Sequence, residues 1–323
     1  MPRAAVVGEQ VQKPSLVTRG DSGSGGCVWV LGRLRSSWDM AVCVCPAVNE
    51  NDSHTPKKGY LSLQYISESM FEVNHGHRPP YPSTETVLDQ LRHHVTRTPA
   101  ACAVVVPEGE FQDGLRLSLT YSELWAALGR IAKQLAKAQA RRASRWVLVV
   151  LPQGLQQVCA VWGVLAAGCG YVPIDAETEA PRLRTLCCET MPTVAIGATG
   201  PTPLSHVAAQ LDVPLATFWD GALHGLVIGD CRWNDATLES VELPSPTTGD
   251  LALLLFSSGS TGVPKGIVYD HKWLMGGSYF VGRDLELTAA SHCLLRCSYV
   301  WSVSLYDLFP ANMFGGTLFI PPP

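Results

Sequence analysis

The chain has 323 residues, 46% of them apolar and 16% charged, with a formal net charge of −4. Length and apolar content allow a sizeable core, in one large domain or two. The acidic balance, with no basic stripe to offset it, argues against a nucleic-acid partner. The 11 cysteines are scattered at spacings that suggest no disulfide framework in a chain this large. Cys43-x-Cys45 and Cys187-Cys188 lack a second pair or a histidine at ligand spacing, so no metal site is predicted. Buried or free thiols fit a reducing, cytoplasmic compartment. The longest apolar stretch, Val158 to Ile174, falls short of the ~20 residues of a membrane span and contains glycines and a proline. No signal peptide is read at Met1, and a soluble protein without a membrane partner is expected.

Residues 1–77 show no clear periodicity, and GDSGSGG from Gly20 to Gly26 is linker-like; the segment is left unassigned, as a disordered or a targeting and processing region. Order is expected over residues 78–323. Val87, Leu88, Leu91 and Val95 recur at helical spacing between Thr86 and Thr98, before Pro99. Cys102 to Val106 reads as a short buried strand. Ser122 is expected to cap a helix from Glu123 to about Ala138, its apolar face formed by Leu124, Leu128, Ile131 and Leu135. Trp146 to Leu151 is an all-apolar strand. A buried helix from Val158 to about Ala167 then turns at Gly168 into a strand at Tyr171 to Ile174. Arg182 to Cys188 and Ser205 to Leu211 read as helices around a strand at Val194 to Ile196. Asp220 to Asp250 is largely polar and reads as a variable excursion. Alternating strands and helices, with strands that are continuous apolar runs, predict an α/β fold of mostly parallel sheets flanked by helices.

The segment that names a chemistry is Leu251 to Gly266, LALLLFSSGSTGVPKG. After an apolar run come Ser257, Ser258, Gly259, Ser260, Thr261 and Gly262, then Pro264 and Lys265. Glycines let a backbone close around an anion, hydroxyls donate to phosphate oxygens, and the lysine adds a positive charge. A Walker A loop would need its lysine followed by Ser or Thr and a helix. Here Lys265 lies between Pro264 and Gly266, and Ile267-Val268-Tyr269 has strand character. A phosphate loop between two strands is therefore predicted.

This segment resembles the signature loop of the adenylate-forming enzymes: acyl-CoA synthetases, luciferases and the adenylation domains of nonribosomal peptide synthetases. Five further matches stand in the expected order. Leu119-Thr120-Tyr121-Ser122-Glu123-Leu124 is similar to an L-T-Y-x-E-L box. Ala166 to Asp175, AAGCGYVPID, is similar to a K-A-G-x-x-Y-V-P-I-D box with Ala166 in place of lysine, and Arg182 falls where the family has an arginine. His271 matches a histidine after the loop, and Trp301 to Phe309, WSVSLYDLF, resembles F-D-x-S-v-x-E-I-F. The Y-V-P-I-D wording favours the peptide-synthetase branch. The likeness covers about Thr84 to Pro323, the first part of such an enzyme.

The resemblance implies ATP-dependent activation of a carboxylic acid as an acyl-adenylate with release of pyrophosphate. Mg²⁺ assists, and the acyl group passes to CoA or to the phosphopantetheine of a carrier-protein domain. It assigns the phosphates to Ser257, Ser258, Gly259, Ser260, Thr261, Gly262 and Lys265, and the acyl and nucleotide pocket to His271, Trp301 and Ser302. In amino-acid-activating members the position of Ser302 is an aspartate that pairs with the substrate's ammonium. A serine cannot supply that charge, so a hydroxy, keto or aryl acid, or a decayed pocket, is expected instead. Asp307 aligns with the family's acidic position. For Tyr171, Pro173 and Asp175 core packing and a turn are expected. The family's adenine-stacking segment, ribose-binding aspartate and late catalytic lysine have no counterpart in this sequence, so no catalytic residue is assigned and the isolated fragment is expected to be inactive. A degenerate nucleotide-binding or interaction protein of the same fold is the alternative.

Overall fold

The structure, a computed structural model, describes residues 28–33, 39–44, 81–107, 116–139, 144–218, 226–228, 239, 241–257 and 265–321. Among these residues thirteen strands form two sheets. The six-stranded sheet has the order β1-β2-β12-β13-β3-β4, from β1 (Val28–Arg33), β2 (Asp39–Val44), β3 (Cys102–Pro107), β4 (Arg116–Thr120), β12 (His292–Leu294) and β13 (Thr317–Phe319). The seven-stranded sheet has the order β11-β10-β6-β5-β7-β8-β9, from β5 (Trp146–Val150), β6 (Gly170–Pro173), β7 (Val194–Gly197), β8 (Leu215–Phe218), β9 (Leu226–Ile228), β10 (Leu251–Ser257) and β11 (Lys265–Asp270). The inner strands of both sheets run parallel, and each edge is closed by an antiparallel strand. This is the α/β class read from the sequence.

The helices are α1 (Val87–Arg97), α2 (Tyr121–Gln139), α3 (Leu155–Ala166), α4 (Ala180–Thr190), α5 (Pro203–Gln210), α6 (His271–Asp284), α7 (Leu305–Leu308) and α8 (Pro310–Met313). Helix α1 starts where Thr86 and Asp89 form a reciprocal cap, the Asp89 carboxylate accepting from the Thr86 amide at 2.8 Å. Helix α2 begins two residues earlier than its sequence suggests. Thr120, not Ser122, is its cap: the Glu123 carboxylate accepts from the Thr120 amide at 2.8 Å, and Thr120 Oγ1 accepts from the Glu123 amide at 3.2 Å. Only Thr120 stands three residues before a glutamate, the spacing this reciprocal cap requires.

Side-chain alternation along the seven-stranded sheet divides the core. Val147, Val149, Leu253 and Leu255 face one cluster together with α1, α2, α3 and α6 and with Val104 and Leu318 of the other sheet. Leu148, Val150, Leu254 and Val172 face the opposite side, against Leu183 and Leu186 of α4 and Leu204 and Val207 of α5. Helix α3 is buried all round from Gln157 to Ala166 and touches strands of both sheets, as an apolar-all-round helix must to hide its surface. The turn after it places Gly168 at φ +69°, a conformation that favours glycine. Edge strand β9 is capped by α2: the buried Gln134 amide donates to the Leu226 carbonyl at 2.9 Å and accepts from its N–H at 2.7 Å. That pair replaces the backbone bonds a further strand would make.

Candidate functional site

Strands β5, β6, β7, β8 and β10 run parallel, so their carboxyl ends share one edge of the seven-stranded sheet. In such sheets ligands bind beyond that edge. Val149 pairs with Pro173 and Leu253 with Tyr171. Carried along the strands, these registers put Leu151, Asp175 and Ser257 at one level. Ser257 is the last residue of β10 and pairs with Lys265, the first of β11. The loop between them therefore emerges at the carboxyl edge, between two strands as predicted. Ser258, Gly259, Ser260, Thr261 and Gly262 lie outside the described residues, and of Ser257 only the backbone is described. Lys265 is exposed.

Trp301 and Ser302 sit on a 3-10 turn, Ser302–Ser304, between β12 and α7, and both are exposed. The turn is closed by Ser304, whose amide and hydroxyl donate to the Trp301 carbonyl at 3.0 and 2.7 Å. Behind it, Leu305, Leu308 and Phe309 are buried, with Phe309 edge-on to Trp162 at 5.0 Å. Asp307 is turned inward, and its carboxylate accepts from the Cys297 amide at 3.3 Å. Burial raises its pKa to about 6 against the pull of that bond and of Arg296. The carboxyl group nearest Ser302 in sequence is thus engaged with the backbone of residue 297 and does not stand in for an exposed charge.

His271 lies elsewhere. It opens α6 just past the other end of β11 from Lys265, six residues away along an extended path of about 20 Å. The described structure does not bring the two together. Asp270 caps α6 by accepting from the Trp273 amide at 2.7 Å, and the His271 amide donates to the Asp250 carbonyl at 3.0 Å. The imidazole is fully buried, and neither ring nitrogen has a hydrogen-bond partner among the described residues. Desolvation lowers its pKa to about 4, outweighing the attraction of Asp250, Asp270 and Asp89.

This geometry makes stability pH-dependent. The unfolded imidazole takes up a proton as pH falls through 6.5, whereas the folded one stays neutral down to about 4. The folded state should lose about 3 kcal/mol across that window and nothing further below it. Asp307, with its raised pKa, acts in the opposite sense, so the measurement is a difference. Urea unfolding of wild type and His271→Phe from pH 7 to 4 should show the gap between them moving in the variant's favour as pH falls. A constant gap would remove the buried neutral imidazole from the account.

Tyr171 is fully buried in β6, and the Asp175 carboxylate accepts from the Glu177 amide at 2.9 Å in a turn. Arg182 is half-buried in the first turn of α4. Sequence reasoning passed over Tyr299. Its hydroxyl donates toward the Val149 and Ile174 carbonyls, each at 2.7 Å, and accepts from the Leu151 amide at 3.1 Å. Gln153 adds a bond from Nε2 to the Leu295 carbonyl at 2.6 Å. No local signal could have exposed Tyr299, whose partners lie 125 to 150 residues away.

Residues 91–323 match the AMP-binding enzyme family. The chain belongs to that family. It is 28% identical over 262 residues to phenyloxazoline synthase MbtB of Mycolicibacterium paratuberculosis, covering 81% of this chain and 20% of that protein. It is 30% identical over 228 residues to the nonribosomal peptide synthetase ftmPS of Neosartorya fischeri, covering 70% of this chain and 10% of that one. The chain thus spans a fifth or less of the length of these curated relatives. The crystal structure of the nonribosomal peptide synthetase FmoA3 bound to AMPPNP superposes with a TM-score of 0.58 at 26% identity, over 80% of this chain and 25% of that one. A fatty acyl-adenylate ligase from L. pneumophila shares the fold, with a TM-score of 0.58 at 20% identity over 74% of this chain and 40% of its own. Among the described residues no helix of this AMP-binding family member is long and apolar enough to cross a membrane. No group of three His, Cys, Asp or Glu among them is arranged to hold a metal ion.

Proposed function

We propose that this chain carries the nucleotide-binding part of an enzyme that activates a carboxylic acid with ATP. A carboxylate oxygen bonds to the α-phosphorus, the bond to the β-phosphate bridging oxygen breaks, and acyl-adenylate and pyrophosphate result. The acyl group then passes to a thiol, of CoA or of a carrier-domain phosphopantetheine. The observation that supports this reading is that Ser257 and Lys265, which flank the hydroxyl-rich and glycine-rich segment in sequence, are paired at the carboxyl edge of a parallel sheet, in a member of the AMP-binding family. Ser257, Ser258, Gly259, Ser260, Thr261, Gly262 and Lys265 would hold the β- and γ-phosphates, by donation from hydroxyls and backbone N–H groups and by charge. Their donor set suits an anion, so Mg²⁺ would enter with the nucleotide. Trp301 and Ser302 would form part of the acyl site. His271, buried at the far end of β11, would act on that site only by seating α6.

Ser302 supports a substrate without an α-ammonium, a hydroxy, keto or aryl acid, because no carboxylate of this turn is exposed to pair with a cation. The same residue favours the second reading, a nucleotide-binding protein without turnover. For residues 1–323 taken alone we expect binding without turnover, since the resemblance assigns the adenine, ribose and catalytic-lysine contacts to segments this sequence does not match. Equilibrium binding of Mg·ATP and acid-dependent ATP–pyrophosphate exchange, run side by side, test this. Exchange supports activation directly and refutes the expectation of inactivity. Binding without exchange is the result expected of this polypeptide under both readings. Absence of both sinks the nucleotide site itself.

A further inference from the structure

We infer that the Tyr299 hydroxyl is a positioning contact, which fixes the turn bearing Trp301 and Ser302 against the carboxyl edge of the seven-stranded sheet. Strand β5 ends at Val150 and β6 at Pro173, and the ladder between them leaves polar backbone groups to satisfy at its end. Tyr299, only 4% exposed, closes that end: one hydroxyl serves the Val149 and Ile174 carbonyls and the Leu151 amide. A side chain that served only to fill the core would need no hydroxyl here. Two residues on, the chain is exposed. Among the described residues Trp301 and Ser302 are held by local bonds, from the Trp301 amide to Ser298 at 3.1 Å and from Ser304 back to Trp301. Such bonds shape the turn and do not locate it. Location comes from Tyr299 on this side, from Gln153 upstream at Leu295, and from Leu305 downstream in the core. Leu151 and Asp175 stand level with Ser257 in the extended register, so the same hydroxyl ties the turn to the strand ends where the phosphate loop emerges.

The importance of this contact for acyl activation rests on the function proposed above; the contact itself is testable without it. The chain is labelled with 5-fluorotryptophan, and Trp301→Phe assigns the Trp301 fluorine line. Tyr299→Phe removes one oxygen and keeps the ring. The Trp301 line should then shift and broaden, and amides from Val300 to Ser304 should exchange about tenfold faster or more, while β10 amides keep their rates. A Trp301 line that stays in place, with only the Leu151 amide or global stability altered, overturns the inference and leaves Tyr299 a structural residue. If Tyr299→Phe fails to fold, wild-type exchange decides. A common rate for Leu151 and residues 300–304 supports the pin, and unrelated rates overturn it. A separate Mg·ATP titration of the wild type keeps the two ideas apart: failure to bind ATP would remove the proposed function and leave the pin standing.

Discussion

Lys265→Ala is expected to weaken Mg·ATP binding by about tenfold to a hundredfold, the effect of one charge-assisted hydrogen bond to phosphate. Lys265 is the residue through which the chain re-enters β11, directly across from Ser257 where it leaves β10. The hairpin register therefore holds the lysine backbone beside the last residue of β10, with its side chain exposed. Its role is that of a point charge, so Lys265→Arg should keep part of the affinity that Lys265→Ala loses, and Lys265→Met should fall as far as Lys265→Ala. Because the residue is exposed at a sheet edge, the unfolding free energy should change by no more than roughly 0.5 kcal/mol. Isothermal titration with Mg·ATP and a urea melt of each variant check both halves. Unchanged affinity in Lys265→Ala would take this lysine out of the phosphate site, and any pyrophosphate exchange the protein supports should vanish with the affinity.

Gly163→Ala should destabilise the protein by about 1–3 kcal/mol, although alanine is the better helix former. The helix-propensity gain is about 1 kcal/mol. Against it stands the packing of α3 on α2: a Cβ on Gly163 would lie 2.7 Å from Cβ of Ile131 and 3.4 Å from the Leu128 carbonyl oxygen. Ile131 is fully buried and branched at the contacting carbon, so it cannot swing aside, and the helices must separate. Larger residues should cost more, with Gly163→Val at the upper end of the range or beyond it. Urea unfolding gives the sign directly, and a more stable Gly163→Ala would show that the interhelical contact yields.

Much of the layering was legible because its causes are local. Trp146 to Leu151 is an unbroken apolar run, which only a strand buried on both faces accommodates, and β5 has its two faces in two different core clusters. The run from Val158 to about Ala167 and Gly168 foretold a buried helix and a turn into a strand, and both are present, the turn with Gly168 at φ +69°. Strands β12 and β13 were not read, for each has three residues and no periodicity can be seen in so few. They exist because β13 pairs with β3, joining Leu318 to Val104 across more than half the chain. Helix α2 began early because the cap depended on a spacing between Thr120 and Glu123 that a reading centred on Ser122 overlooked.

For the site, the chemistry and the geometry had separate origins. Order and type of residue from Ser257 to Lys265 were enough to suggest a polyphosphate loop, since glycine freedom, hydroxyl donation and lysine charge belong to those residues wherever they lie. The sequence by itself also determined the fold class and, through the family resemblance, raised the expectation that Ser302 leaves uncharged a position where amino-acid-activating members carry an aspartate. Tertiary structure alone decided which of these residues share a place. It set Lys265 and the Trp301 turn toward the carboxyl edge and His271 at the far end of β11, and it drew in Tyr299, which no motif marks. The reason is physical: residue chemistry and periodicity act over a few positions, whereas register and burial arise from pairings between strands far apart in the chain, which no short window contains.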